Sequence, residues 1–171
     1  MIDSTACRAL GGKIDEQIER TEHLVSLLPE DRPNWVPPWP DAWPNAILLG
    51  HLLDCLAGFC AVLYRADPQR LERFAALRNL PVNHACGKHE AEARIAEYRA
   101  RIREGFAAIE HADLSQRLPT VFVKEGETVW TLLLGNLEHL MNHKHELFTR
   151  LKLMGFVVNS ADLYRFRGNL P

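Results

Sequence analysis

The stretch TVWTLLLGNLEHLMNHKHELFTRLKLM, Thr128 to Met154, contains no proline and a single glycine, Gly135. It is filled with Leu, Met, Glu, Lys and Arg and is followed by Gly155, so it reads as one long helix that stops at a residue suited to a helix end. His139 and His143 stand four residues apart within it. At about 100° per residue the second imidazole leaves the helix only about 40° around from the first, one turn further on. Two imidazoles so placed can grip one metal ion.

Around this helix, composition bounds the rest. The 171 residues are 47% hydrophobic and 25% charged, which lies in the globular range and predicts a single domain, residues 1–171, with one core. A net charge of -2 and a pI near 6.4 supply no basic field that would draw nucleic acid or an anionic membrane. His51, Asp54 and Asn136 interrupt the apolar stretches before the ~20 residues that a bilayer span needs, so no membrane partner is expected. Cys7, Cys55, Cys60 and Cys86 show no C-x-x-C spacing, and MIDSTACRALGGKIDEQ has no basic patch followed by an apolar run. Free thiols in a reducing, cytoplasmic compartment are the expectation. Eight histidines are the compositional oddity.

In chain order, Asp3 or Ser4 is a candidate cap for a first helix that reaches about Leu28, with Ile14, Ile18, Leu24, Val25 and Leu28 on one side and Gly11 and Gly12 weakening its start. PEDRPNWVPPWPDAWP follows. Its six prolines exclude a regular helix, and Trp35, Trp39 and Trp43 are too apolar for a solvated linker, so they lid the end of a bundle or line a pocket. A second helix is predicted from about Ala42 to Tyr64 or Arg65, capped by Asp41 with Pro44 in its first turn. His51 lies in its apolar stripe with Ile47, Leu48, Leu52, Cys55 and Phe59. A short helix near Gln69–Leu77, a third long helix from about Lys88 to Ile109 and an extended piece at TVFV come next. The Arg-rich run RIAEYRARIRE reads as a solvated face of the third helix, and the tail after Gly155 is apolar enough to dock.

Four long helical stretches with little strand signal predict an all-α chain folded as an antiparallel four-helix bundle with a long Trp/Pro-rich first crossing loop. Such a bundle can bring His51 to His139 and His143. Three neutral imidazoles with a position left open match the sites in which zinc acts catalytically, and nickel or iron also accepts nitrogen ligands. A histidine on an apolar face is more often a hydrogen-bonded core residue, and H-x-x-x-H arises by chance in many helices. Three buried imidazoles without partners would cost several kcal/mol, a cost that a shared metal removes.

Trp43 followed by His51 in WPNAILLGHLLD, then NLEHLMNHKHEL and RLKLMG, resembles the DinB/YfiT-like family of metal-binding four-helix bundles. The resemblance runs from about Ile14 to Gly155. It implies an up-down-down-up bundle, commonly a homodimer, with His51, His139 and His143 as ligands of a divalent metal, Zn²⁺ or Ni²⁺. It also implies either activation of a low-molecular-weight thiol for S-transfer to a small electrophile, or hydrolysis by activated water. Pro44 departs from the Ser or Thr frequent there, and His145 and Glu146 stand where Gly and Gln are frequent.

Other residues carry alternative readings. His145 lies about 200° around from His143 and should face away from the pair. Cys55, one turn beyond His51, is a fourth ligand or a small buried hydrophobe, with the latter favoured. Asp54 could accept a hydrogen bond from a ligand imidazole or pair along its helix, and Glu146 could alter the charge or accept a proton. Asn136 and Asn142 flank the pair, with the surface expected for Asn142. His84, Cys86 and His89 are metal-capable types in a loop and read as surface or pocket-rim residues; His23 and His111 sit in polar surroundings. No Ser/His/Asp set or phosphate loop is present to suggest another reaction. A metal-dependent enzyme and a non-catalytic metal-binding or interaction module are the two classes that remain.

Overall fold

The computed structural model describes residues 4–109, 113–120, 123–165 and 167. Four long helices carry the architecture: α1 (Ser4–Ser26), α2 (Asn45–Ala66), α3 (Lys88–Ala108) and α4 (Val129–Leu153). Two 3-10 segments, Glu72–Asn79 and Asp113–Ser115, and a final short helix, α5 (Ser160–Leu163), fill the connections and the tail. β1 (Arg117–Leu118) pairs antiparallel with β2 (Glu127–Thr128), Arg117 opposite Thr128. The chain is therefore all-α apart from one two-residue hairpin among the described residues.

Both α1 and α2 pack on α3 and on α4, which puts α1 and α2 on one diagonal and α3 and α4 on the other. Ile14 and Ile18 of α1, Leu52, Leu56 and Phe59 of α2, Ile95 of α3 and Leu133, Leu140 and Leu147 of α4 meet between them with no exposed surface. Each such side chain contributes roughly 1.5–3 kcal/mol through burial. α2 is long and apolar enough to cross a membrane by length and composition, which corrects the reading that His51 and Asp54 rule this out; here most of it is buried inside the bundle.

Boundaries differ from expectation where the backbone, not the periodicity, decides. α2 starts three residues later than predicted. Asp41 adopts a left-handed backbone (φ 57°) and caps nothing, and Pro44 occupies the cap position itself. The free N–H groups of Asn45 and Ala46 donate instead to the carbonyls of Trp35 (3.0 Å) and Pro33 (2.8 Å), so the Trp/Pro loop caps the helix by folding across its end. Pairing in the hairpin involves the residues flanking TVFV, and Val121 and Phe122 lie outside the described residues. So do the candidate cap Asp3, His111 and the tail residue Phe166.

The Arg-rich run of α3 is not simply solvated. Arg99 pairs with Asp15 (2.7 Å), Glu19 (2.6 Å) and Glu22 (3.2 Å), and Arg103 with Asp15 (2.6 Å), which zips α3 to the acidic edge of α1. The tail docks in part: α5 carries an Asn159 capping box, Asp162 meets His23 at 3.1 Å, and Val158 and Leu163 reach the core, while Val157 stays fully in solvent. α4 begins at a Thr128 cap, whose hydroxyl accepts from the Thr131 N–H, and stops at Gly155, where φ of 90° is open to glycine at little cost.

Candidate metal centre

Two parallel rows run along α4. Val129, Leu133, Leu137, Leu140, Lys144, Leu147 and Leu151 face the core. Beside them, at alternating steps of three and four, stand Asn136, His139, His143, Glu146 and Arg150. The second row meets α2 at His51. The ring centroids of His51, His139 and His143 are 4.9, 4.5 and 4.8 Å apart pairwise, and one nitrogen from each lies within 4.8 Å of the other two. The three residues that the sequence singles out are thus brought together, half-buried, between α2 and α4.

Each imidazole is held from behind. His51 Nδ1 lies 2.6 Å from the side-chain oxygen of Asn83, which can only accept, so Nδ1 carries the proton and Nε2 keeps its lone pair. His143 Nδ1 donates in the same way to Glu146 Oε2 at 3.1 Å. His139 Nδ1 is 3.5 Å from the Cys55 sulfur. Burial, then the neighbouring His143 and His51, push the His139 pKa below its ordinary value and keep the ring neutral, as a ligand must be.

His51 Nε2 and His139 Nε2 face each other at 3.0 Å. Two lone pairs at that separation repel unless a proton or a cation lies between them. Metal–nitrogen bonds of ~2.0–2.1 Å in a tetrahedron would set such nitrogens about 3.3 Å apart, close to what is found. The donor set therefore fits a divalent ion of zinc type, and the triad could bind one.

Glu146 is itself fixed. Its other oxygen accepts from Arg150 Nε (3.1 Å) and Nη2 (2.5 Å), and Arg150, with no exposed surface, also donates to the Trp43 carbonyl (2.7 Å) and to Asn45 Oδ1 (3.2 Å). The bond from His143, followed by those from Arg150, lowers the Glu146 pKa against the effect of burial and holds a carboxylate behind the imidazole. The same Arg150 fastens Trp43, which forms a wall of the site: its ring meets His51 edge-on at 5.0 Å and stacks on His143 at 6.3 Å. Of the three loop tryptophans, this is the one that lines the centre.

The remaining candidates sort themselves by geometry. Cys55 is buried and touches the rear nitrogen of His139, and burial, then Asp54, push its thiol up to about 12, so it is a protonated neighbour. Asp54 acts on His139 only through space. The acceptor behind His51 is Asn83, and Asp54 instead lines a recess of about 270 Å³ with Gly58, Tyr64, Phe74 and Leu80. Asn136 is half-buried, its side chain set against the backbone of Gly58, and Asn142 and His145 are exposed, as expected. His23 binds Asp162. Cys86 has no exposed surface but lines a recess together with His89, His84 is bonded to Glu90 at 2.8 Å, and His89 is exposed between Glu30 and Glu92.

Asn83 and Arg150 escape the sequence reading. Arg150 continues the row of His143 and Glu146 and could have been found by extending it. Asn83 has no such signal, since it reaches His51 from a loop 32 residues away. Gly50 makes that approach feasible: a Cβ there would stand 2.0 Å from the His84 carbonyl oxygen, so only glycine lets the Asn83–His84 backbone lie directly on α2.

Comparisons with known proteins bear on the family and the fold. The profile of the DinB superfamily matches residues 13–147, a span that contains all three histidines. No curated protein matches. Among solved structures, a DinB-like protein of Bacillus subtilis, YjoA, superposes with a TM-score of 0.67 over 88% of this chain and 94% of its own at 15% identity, which establishes a shared fold. With four helices in that fold and the family profile covering most of its length, the chain belongs to the DinB superfamily.

Proposed function

We propose that this chain is a metal-dependent enzyme in which His51, His139 and His143 hold one divalent ion, zinc or nickel, and in which a small-molecule reaction runs at the open side of that site. The observation that carries this reading is the incomplete donor set. Structural zinc sites close with four protein ligands, whereas here three imidazoles converge, the nearby sulfur of Cys55 lies behind one of them, and the half-exposed Trp43 borders the opening. When bound, such an ion supplies Lewis acidity that makes a thiol or a water nucleophilic at neutral pH. Family resemblance favours a low-molecular-weight thiol and S-transfer to an electrophile, with hydrolysis as the other outcome.

The residues of the chain perform the rest. Asn83 and Glu146 fix two rings with Nε2 turned inward, and Arg150 keeps Glu146 ionised and Trp43 in place. Trp43 offers an apolar, aromatic surface to an incoming substrate. The contacts of Asp15 with Arg103 and Glu22 with Arg99, of Ala46 with Cys86, and of Asn45 with Arg150 support an up-down-down-up helix order. Four unpaired cysteines support a reducing, cytoplasmic setting, and the resemblance supports a homodimer.

Metal analysis of the purified chain tests the reading. About one equivalent assigned to the triad is expected, abolished in the His51, His139, His143 triple alanine variant. A panel of thiols and electrophiles should then show turnover that chelation stops and metal restores. Metal content unchanged in the triple variant would sink the site. Metal-dependent stability without turnover across the panel would make the ion a tie between α2 and α4 in a non-catalytic module.

A further inference from the structure

His84 and Cys86, in the loop that leads into α3, and Glu90, in its first turn, bring an imidazole nitrogen, a sulfur and a carboxylate oxygen within 4.8 Å of one another. None of the three takes part in the triad. His84 Nε2 lies 2.8 Å from Glu90 Oε1, while His84 Nδ1 is buried with no hydrogen-bond partner among the described residues. A buried imidazole nitrogen without a partner is a cost that a cation accepting the ring's lone pair would offset. Cys86 has no exposed surface, yet with Glu90, His89 and Glu30 it lines a recess of about 300 Å³, which gives small ions a route to it.

We propose that His84, Cys86 and Glu90 form a second metal site, suited to zinc, that fastens the Asn83–Gly87 loop to the start of α3. Mixed sulfur, nitrogen and carboxylate donors are those that zinc accepts in tetrahedral geometry, and three protein ligands leave one position for water. On binding, the Cys86 S–H bond breaks, its proton goes to solvent, and the sulfur lone pair forms the bond to the ion; nothing is oxidised or reduced. The thiolate and the Glu90 carboxylate together balance the two positive charges of the ion. Arg94 stands at the edge of the site, paired with Glu90 at 3.6 Å while also donating to the Pro81 carbonyl and to Tyr98 (2.9 Å), and Lys88 is turned away to the Ser26 carbonyl (2.8 Å). Because Asn83 precedes His84, an ion here would stiffen the support behind His51.

Cobalt distinguishes the two sites, since the triad offers nitrogen and this one offers sulfur. Metal-free protein titrated with Co²⁺ is expected to take up two equivalents per chain, one of them giving a sulfur-to-cobalt charge-transfer band in the near ultraviolet. Cys86→Ser should remove that band and one equivalent. His84→Gln and Glu90→Gln, at sites with exposed side-chain surface that tolerate change, should weaken the same equivalent at least about tenfold even if the serine variant does not fold. In His139→Ala the band should persist, so failure of the triad and failure of this site are seen separately. Uptake without a charge-transfer band, or a band that survives Cys86→Ser at full intensity, overturns the proposal.

Discussion

Replacing Glu146 by glutamine changes one charge behind the triad and little else in shape. In the native chain one Glu146 oxygen accepts the Nδ1 proton of His143 at 3.1 Å and the other accepts two bonds from Arg150. The glutamine oxygen can still accept from Arg150, which leaves its NH₂ group facing the His143 N–H, donor against donor. The ring relieves that contact by moving its proton to Nε2, the nitrogen a metal needs. Loss of such a supporting carboxylate lowers metal affinity by roughly 10–100-fold, about 1.4–2.7 kcal/mol. Stability of the metal-free protein falls separately, because buried Arg150 loses its counter-charge but keeps the Trp43 carbonyl and Asn45; with Glu146 one quarter exposed, about 1–2 kcal/mol is expected. Zinc competition against a chromophoric chelator at pH 7 measures the first quantity for the equivalent lost in His139→Ala, and urea unfolding in the presence of chelator measures the second. Affinity within twofold of wild type, alongside the expected loss of stability, would refute the role assigned to Glu146.

Three further outcomes follow from the same geometry. Arg150→Met leaves the Glu146 carboxylate, the Trp43 carbonyl and Asn45 without their shared donor, so metal-free stability should fall by about 3 kcal/mol in urea unfolding. Gly50→Ala forces the His84 backbone off α2 and should cost about 1–3 kcal/mol in stability while weakening metal binding at the triad, because Asn83 moves with it. Asp15 sits at about 2 rather than the usual 3.8, since its bonds to Arg99 and Arg103 outweigh burial. A depressed carboxyl contributes stability that is present above its unfolded value and disappears as pH falls through about 2. Acid unfolding curves should therefore show about 1 kcal/mol lost over that window, after allowance for solvent screening, and Asp15→Asn should flatten it.

The helices were largely legible because helical periodicity is a local property. The span predicted from Thr128 to Met154 is observed as Val129–Leu153 between its own cap and stop, and the third helix ends one residue from its predicted boundary. The start of α2 is not legible locally, for the opposite reason: its cap is made of carbonyls at Pro33 and Trp35, about ten residues away, and no local rule announces a loop folding across a helix end. The Arg-rich run of α3 looked solvated because its partners belong to α1.

The long helix bearing His139 and His143 shows the same division. Four-residue spacing alone sets both imidazoles on one face, and the apolar stripe of α2 alone directs His51 inward; chain chemistry determines that much. The tertiary structure decided which nitrogen each ring presents, since that depends on Asn83 from a distant loop, Cys55 from α2 and the Glu146–Arg150 pair held by Trp43 and Asn45. It also decided that His84 and Cys86 join Glu90 while His89 turns to solvent. Periodicity specifies a direction around one helix axis, whereas a metal site is a distance between atoms on different elements, and only the packed fold supplies that distance.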